Sequence, residues 1–281
     1  MMTGMASPAP PLLTSAANPR IRAATALRER RERDRTGQTL IDGARELRRA
    51  LDAGVTVIEA FVCEPLLAGP DARAALDLLR ERGTPIRPTT ETVFAKLAFG
   101  ERAEGLVAVV SIPATGLDRL RLPGDALVAV IEGLEKPGNL GAVLRSADGA
   151  GVDAVIAASP RADPYSPNAI RASAGTVFTV PIAAAPTGEV LGWLRDRGLR
   201  ILAARVDAER LYTDIDLTGP MALVLGAEAE GLGGAWTDAD VEAIRLPMRG
   251  VADSLNVSVS AAILFYEARR QRDLAETSTR G

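Results

Sequence analysis

Histidine is missing altogether from the 281 residues. That removes the commonest general base near neutral pH and the commonest metal ligand together. Ser-His-Asp, Cys-His and zinc chemistries are therefore excluded, and no metal is expected. Cysteine occurs once, at Cys63 in the apolar run VIEAFVC, so no internal disulfide can form and the residue reads as a small core side chain of a reducing compartment. A cytoplasmic location follows. No apolar run approaches the ~18 residues that a membrane helix requires. The first residues, MMTGMASPAPPLLTSAANP, lack the charged and apolar regions of a signal peptide, so neither membrane nor export is expected. Lysine appears only at Lys96 and Lys136, the other basic residues being arginine; a GC-rich genome produces the same bias, so arginine excess alone says little. A net charge of −3 argues against a uniformly basic nucleic-acid binder, and any such contact must come from a local patch. One exists between Arg20 and Arg35, where arginines at 20, 22, 28, 30, 31, 33 and 35 stand against Glu29, Glu32 and Asp34.

What is present suits a folded chain of two domains. Apolar residues make up 47% and charged ones 25%, the balance of a globular protein with a sizeable core. Residues 1–17 are rich in Ala, Pro and Ser without periodicity and read as a disordered tail. Residues 18–112 alternate helical and strand signals: helix NPRIRAATALRERRER, strand QTLID, helix ARELRRALDAG, strand VTVIEAFV, helix DARAALDLLRERG, strand TPIRP, helix TETVFAKLAF and strand GLVAVVSI. They form a smaller N-terminal α/β domain. PATGLDRLRLPGD, residues 113–125, reads as a linker on its proline and glycine. Residues 126–275 form a second domain, whose runs ALVAVI, DAVIAA, VFTVPI, LRILAA, MALVLG and VEAIRLP lack polar alternation. Strands of that kind are covered on both faces, which implies an α/β fold with a mainly parallel sheet flanked by helices. Sheets of this class bind ligands beyond the carboxyl ends of their strands.

Three polar or Gly-rich clusters follow such strands. In EGLEKPGNLGAVLRSADGAG, Pro137 and Gly138 suggest a turn, and Asn139 is a plausible N-cap for a helix carrying Arg145; a turn and a surface arginine is the plain alternative, and the G-x-G-x-x-G spacing of a dinucleotide site is lacking. LGAEAEGL places Gly226 and Gly231 around Glu228 and Glu230, and taken alone reads as a generic strand-to-helix turn. In LPMRGVADSLNVSVSAAILFYEARRQ, Ser254, Asn256, Ser258 and Ser260 alternate with apolar residues, a period-two pattern that by itself indicates an exposed strand.

In this order the three clusters resemble the motifs of the SpoU/TrmH branch of the SPOUT methyltransferases, a family of RNA 2′-O-ribose methyltransferases. The segments that carry the resemblance are PGNLGAVLRSADGAG, LVLGAEAEGL and LPMRGVADSLNVSVSAAILFYE, within residues 125–272. SPNAIRASAGTVFTVPI is similar to the family's sequence between the first two motifs. NPRIRAATALRERRERDRTGQTLIDGARE and KLAFGERAEGLVAVV are more loosely similar to the RNA substrate-binding domain that many members carry. Ala227 and Ala229 depart from the Ser and Gly frequent in the second motif.

The resemblance implies a trefoil knot in the C-terminal domain, against the general rule that chains do not thread, and a helix over SLNVSVSAAILFYEARR. A helix is also compatible with Ser254 as cap and with Val259, Ala262, Ile263 and Tyr266 at helical spacing. It implies S-adenosylmethionine as cofactor, wrapped by Leu225, Gly226, Leu246, Met248 and Leu255, and a polar active set of Arg145, Asn139, Glu228, Ser254 and Asn256. A guanidinium is a poor proton acceptor, so Arg145 is expected to hold phosphate and stabilise a developing alkoxide while the other four organise the site. Arg20, Arg22, Arg28, Arg31 and Arg171 are the expected RNA contacts. Methylation of a ribose 2′-hydroxyl in structured RNA, 23S-type ribosomal RNA before transfer RNA, by a homodimer is the function this implies; a transfer-RNA methyltransferase and a catalytically silent RNA-binding knotted dimer are the alternatives.

Overall fold

The computed structural model describes residues 10–99, 104–226 and 231–280, and the chain divides into two compact units, Met1–Ile112 and Pro113–Gly281. In the first, α1 (Pro19–Ala26) and α2 (Arg30–Thr36) precede β1 (Gln38–Asp42), α3 (Ala44–Asp52), β2 (Val57–Val62), α4 (Pro70–Glu81), β3 (Ile86–Pro88), α5 (Glu91–Leu97) and β4 (Leu106–Ser111). The sheet order is β1-β4-β2-β3, with β4 antiparallel to both neighbours and β3 parallel to β2. Ile21, Leu27, Phe61, Phe94 and Val107 share its core.

Two expectations for this unit are corrected. The helix expected across NPRIRAATALRERRER stops after Ala26 and restarts at Arg30. Arg33, only 3% exposed, donates to the Leu27 and Arg28 carbonyls in the break at 2.8 and 2.7 Å, supplying the partners that buried backbone oxygens need. The expected tail is docked at Leu13, which is buried: its N–H donates to the Pro88 carbonyl at 2.8 Å, and its own carbonyl accepts from Thr90 at 3.2 Å. Residues 1–9 lie outside the described residues.

The stretch 113–125 is anchored to the second unit at Thr115 and Leu120. Leu120 is buried with the second unit's core, and the Thr115 carbonyl accepts from Ala184 at 2.8 Å, so its prolines and glycines shape turns along a docked segment. Then come β5 (Leu127–Glu132), α6 (Pro137–Ala150), β6 (Ala154–Ala158), α7 (Pro167–Ala172), β7 (Ile182–Ala185), α8 (Thr187–Asp196), β8 (Arg200–Ala204), β9 (Met221–Gly226), β10 (Val241–Ile244) and α9 (Val257–Arg280). The six strands are all parallel, in the order β10-β8-β9-β5-β6-β7, the covered sheet that unbroken apolar runs imply. On one face Val128, Val130, Ile156 and Val224 pack with Val190, Leu194 and Trp236. The opposite set, Leu127, Ala129, Ile131, Leu223 and Leu225, is equally buried, and α6 and α9 pack on each other and against β6 and β9.

VFTVPI is a strand only at its end. Thr176–Phe178 forms a 3₁₀ turn, because the Ser173 hydroxyl accepts from Gly175 and Val177 and the Thr176 hydroxyl donates to the Ser173 carbonyl. Such local side-chain bonds offer the backbone an alternative to a sheet ladder.

Candidate active site

The site lies beyond the carboxyl ends of β8, β9 and β5. β5 ends at Glu132, and α6 starts at Pro137, whose fixed φ suits a first helical position. Asn139 is therefore the third residue of the helix and not its cap, a correction to the expected turn; Lys136 takes the cap position without a side-chain cap bond. Asn139 instead uses its side chain to bridge to a distant part of the chain. Its Oδ1 accepts from Asn256 Nδ2 at 3.3 Å, across 117 residues of chain.

Asn256 is the residue that starts α9. Its Oδ1 accepts from the Ser258 N–H at 2.8 Å and the Ser258 hydroxyl at 2.7 Å, and its carbonyl accepts from Val259 and Ser260. This is N-cap geometry. Ser254, expected as the cap, lies two residues before Asn256 and lines a cavity instead. The expected apolar set is also displaced: Val257, Ala261, Leu264, Phe265 and Ala268 form the buried face of α9, while Val259 and Tyr266 are 46% and 55% exposed.

That cavity, about 510 Å³, is walled by Leu225, Gly226, Leu246, Met248, Ser254 and Leu255, six residues drawn from two of the motifs. Its size is that of an ordinary small-molecule site. Gly226 is needed by the loop that returns over it, since a Cβ there would lie 2.4 Å from the Gly231 carbonyl carbon and 2.7 Å from the Leu232 nitrogen. The walls are mostly apolar, with Ser254, Asp253 and Ser260 as polar groups. Arg205 and Asp207, at the end of β8, add an ion pair through Nε and a terminal nitrogen at 2.9 and 2.8 Å. The Arg205 hydrogen bonds hold the Asp207 carboxyl below the usual carboxylate range. Ala204–Asp207, Leu232, Asp253 and Val257 also line the cavity without having been singled out in the sequence, and Gly231 and Ser260, noted there only as parts of motifs, join them. The usable signal was position: ARVD directly follows the strand run LRILAA.

Arg145 lies six residues beyond Asn139 on α6, about 9 Å along the axis. It is exposed, and its guanidinium has no ion pair among the described residues. Glu228 lies outside the described residues. Arg171 lies in the last turn of α7, which packs on α6 so closely that a Cβ on Gly141 would lie 2.6 Å from the Ser173 nitrogen; its side chain is half-buried and has partners.

The arginines of the first unit separate by environment. Arg28 donates to the Lys96, Leu97 and Ala98 carbonyls at 2.9, 2.9 and 3.1 Å and lies 5.5 Å from the Phe99 ring centroid, which makes it a cap for the end of α5. Arg20 pairs with Glu59 at 3.1 Å. Arg22 and Arg31 are exposed and their guanidinium groups have no ion pair among the described residues.

Comparison with known proteins places this geometry in a family. Residues 126–266 match the profile of the SpoU rRNA methylase family, and residues 18–108 that of the MRM3-like substrate-binding domain. A 23S rRNA (uridine(2479)-2′-O)-methyltransferase of Streptomyces viridochromogenes is 33% identical over 90% of this chain and 90% of its own. Among solved structures, an RNA 2′-O ribose methyltransferase is 45% identical with a TM-score of 0.82, over 92% of this chain and 98% of its own. The SpoU methyltransferase AviRb of Streptomyces viridochromogenes, solved with the cofactor AdoMet, is 31% identical with a TM-score of 0.82, over 90% and 98%.

Proposed function

Because this chain belongs to the SpoU rRNA methylase family, we propose that it methylates a ribose 2′-hydroxyl of 23S-type ribosomal RNA, with S-adenosylmethionine as the methyl donor. The observation that carries the proposal is the convergence, beyond one end of a parallel sheet, of a cavity lined by Leu225, Gly226, Leu246, Met248, Ser254 and Leu255 with the bonded pair Asn139–Asn256. Of three relatives that span 90% or more of this chain, two are named for 23S ribosomal RNA and one for transfer or ribosomal RNA, which favours ribosomal RNA over transfer RNA.

The cavity fits the donor in size and chemistry: apolar walls for a purine ring, and Ser254, Asp253 and the Arg205–Asp207 pair for its polar groups. When bound, the donor supplies a methyl group on a positively charged sulfur, which makes it electrophilic without a metal. The chain's own task is to align the 2′-oxygen and stabilise it as its proton leaves. That proton passes to a base other than histidine, since the chain has none. Arg145, exposed and permanently charged, holds an RNA phosphate and the developing alkoxide; Asn139, Asn256, Ser254 and Glu228 set the geometry around them.

Three further features belong to the same proposal. The segment after β10 threads a loop to form a trefoil knot, a reading supported by the return of the chain from an edge strand to pack α9 on α6. The protein is a homodimer, supported by the exposed Val259 and Tyr266 on α9, with Ala262 and Ile263 half-exposed beside them. It works in the cytoplasm, where ribosomal RNA is found; no helix among the described residues is long and apolar enough to cross a membrane. The first unit binds RNA, with Arg22 and Arg31 as the exposed charges that meet its phosphates. Comparison of ribosomal RNA from cells with and without the gene tests the proposal, which requires one 2′-O-methyl nucleotide to disappear.

A further inference from the structure

Glu132 is the last residue of the central strand β5, paired in register with Gly226 of β9 on one side and Ala158 of β6 on the other. Both of its carboxylate oxygens are used. Oε2 accepts from the Gly233 N–H at 2.7 Å, and Oε1 accepts from the Thr187 hydroxyl at 2.9 Å. Thr187 opens α8, and its N–H donates to the Ser159 hydroxyl oxygen at 3.0 Å. Ser159 Oγ also lies 3.0 Å from Thr187 Oγ1; since that threonine proton goes to Glu132, Ser159 is the donor. Ser159 holds a φ of +45°, a conformation unfavourable for a side-chain-bearing residue unless its surroundings fix it. The chain Gly233–Glu132–Thr187–Ser159 thus ties together the ends of β5 and β6, the start of α8 and the segment after β9.

Gly231 and Leu232, immediately before Gly233, line the cavity and pass so close to Gly226 that a Cβ there would clash with their backbone. Fixing Gly233 fixes that wall. A charged acceptor takes backbone and hydroxyl donors more strongly than a neutral one, so a carboxylate here holds a glycine-rich segment that has few side chains of its own to anchor it. We propose that Glu132 is a positioning residue for the cofactor wall, setting affinity for S-adenosylmethionine through Gly231 and Leu232 without touching the donor's reacting atoms. The inference rests on the donor assigned above.

The test is calorimetric binding of S-adenosylmethionine and of S-adenosylhomocysteine to the full-length wild type and to Glu132→Ala, Glu132→Gln and Thr187→Val, alongside steady-state methyl transfer. Glu132→Ala should weaken both ligands at least about tenfold, the scale of losing hydrogen bonds to a charged group. It should raise KM for the donor by a similar factor while kcat at saturating donor stays within about threefold of wild type. Glu132→Gln should fall between, because an amide keeps an acceptor for one donor but presents N–H to the other. Thr187→Val, which removes the hydroxyl that donates to Glu132 and accepts from Ser159 but leaves the Glu132–Gly233 bond in place, should show a smaller loss in the same direction and carries the test if the alanine variant does not fold. RNA affinity should be unchanged in all three. Wild-type donor affinity in folded Glu132 variants, or a fall in kcat with unchanged KM, would overturn the positioning role. A wild type that binds neither ligand would instead overturn the assigned donor, and this inference with it.

Discussion

Arginines of identical charge have very different roles here, and the difference lies in what surrounds each side chain. Arg33 and Arg28 spend their donors on backbone carbonyls, whereas Arg145, Arg22 and Arg31 present theirs to solvent. Arg145→Ala should keep fold and donor affinity yet lower single-turnover methyl transfer at saturating RNA and donor by at least ~100-fold, the scale of losing one electrostatic stabiliser. Arg145→Lys should recover only part, because an ammonium lacks the planar fork that grips phosphate. Wild-type rates in the alanine variant would remove Arg145 from the chemistry. In the first unit, the double variant Arg22→Ala/Arg31→Ala should reduce the slope of log affinity against log salt by roughly two, one for each phosphate left without its arginine. Arg28→Ala should leave that slope unchanged and lower stability by about 1 kcal/mol; filter binding and urea unfolding separate the two. The cluster was legible in the sequence as a patch, but the division within it was not. The groups that claim Arg20 and Arg28 lie 39 to 70 residues away along the chain, beyond the reach of any local pattern.

Among elements, α9 shows most directly how periodicity can mislead. SLNVSVSAA alternates polar and apolar residues as an exposed strand does, yet the segment is helical from Val257 because Asn256 caps it and Val257, Ala261, Leu264, Phe265 and Ala268 fall on one face. Motif resemblance gave the helix, but capping and helical spacing pointed to Ser254 and to Val259, Ala262, Ile263 and Tyr266, where the structure uses Asn256, two residues on, and a neighbouring stripe. The stripe expected from spacing is apolar and faces solvent, which is costly for a lone protein and useful to a paired one. The Tyr266 hydroxyl lies over Gly149 of α6, so the stripe continues onto a helix that carries Asn139 and Arg145. Tyr266→Asp should weaken self-association at least ~100-fold, since a carboxylate in an apolar interface is buried without a partner. Sedimentation of the wild type and variant at micromolar concentration checks this. A variant as dimeric as the wild type, or an active monomeric wild type, would contradict it.

At the scale of the molecule, most of the architecture could be read directly from the chain. Unbroken apolar runs meant strands covered on both faces, and the parallel order β10-β8-β9-β5-β6-β7 puts the polar and glycine-rich motifs at one end. The strand order itself is not a local property, which is why Ala204–Asp207 from β8 and Glu132 from β5 were missed as parts of the site although each follows or ends a strand that was recognised. The first residues were also read by composition, as a tail, when Leu13 is in fact held by Pro88 and Thr90.

The central claim, 2′-O-methylation of ribosomal RNA, is tested most directly by mapping alkali-resistant linkages in 23S ribosomal RNA from isogenic cells that carry the gene, lack it, or express Arg145→Ala. A methyl on the 2′-oxygen removes the nucleophile that alkali needs, so a modified position survives hydrolysis. The account predicts one resistant position that is present with the gene, lost on deletion and not restored by the alanine variant. Identical maps in all three strains, or a gene-dependent methyl on a base instead of a ribose, would contradict it.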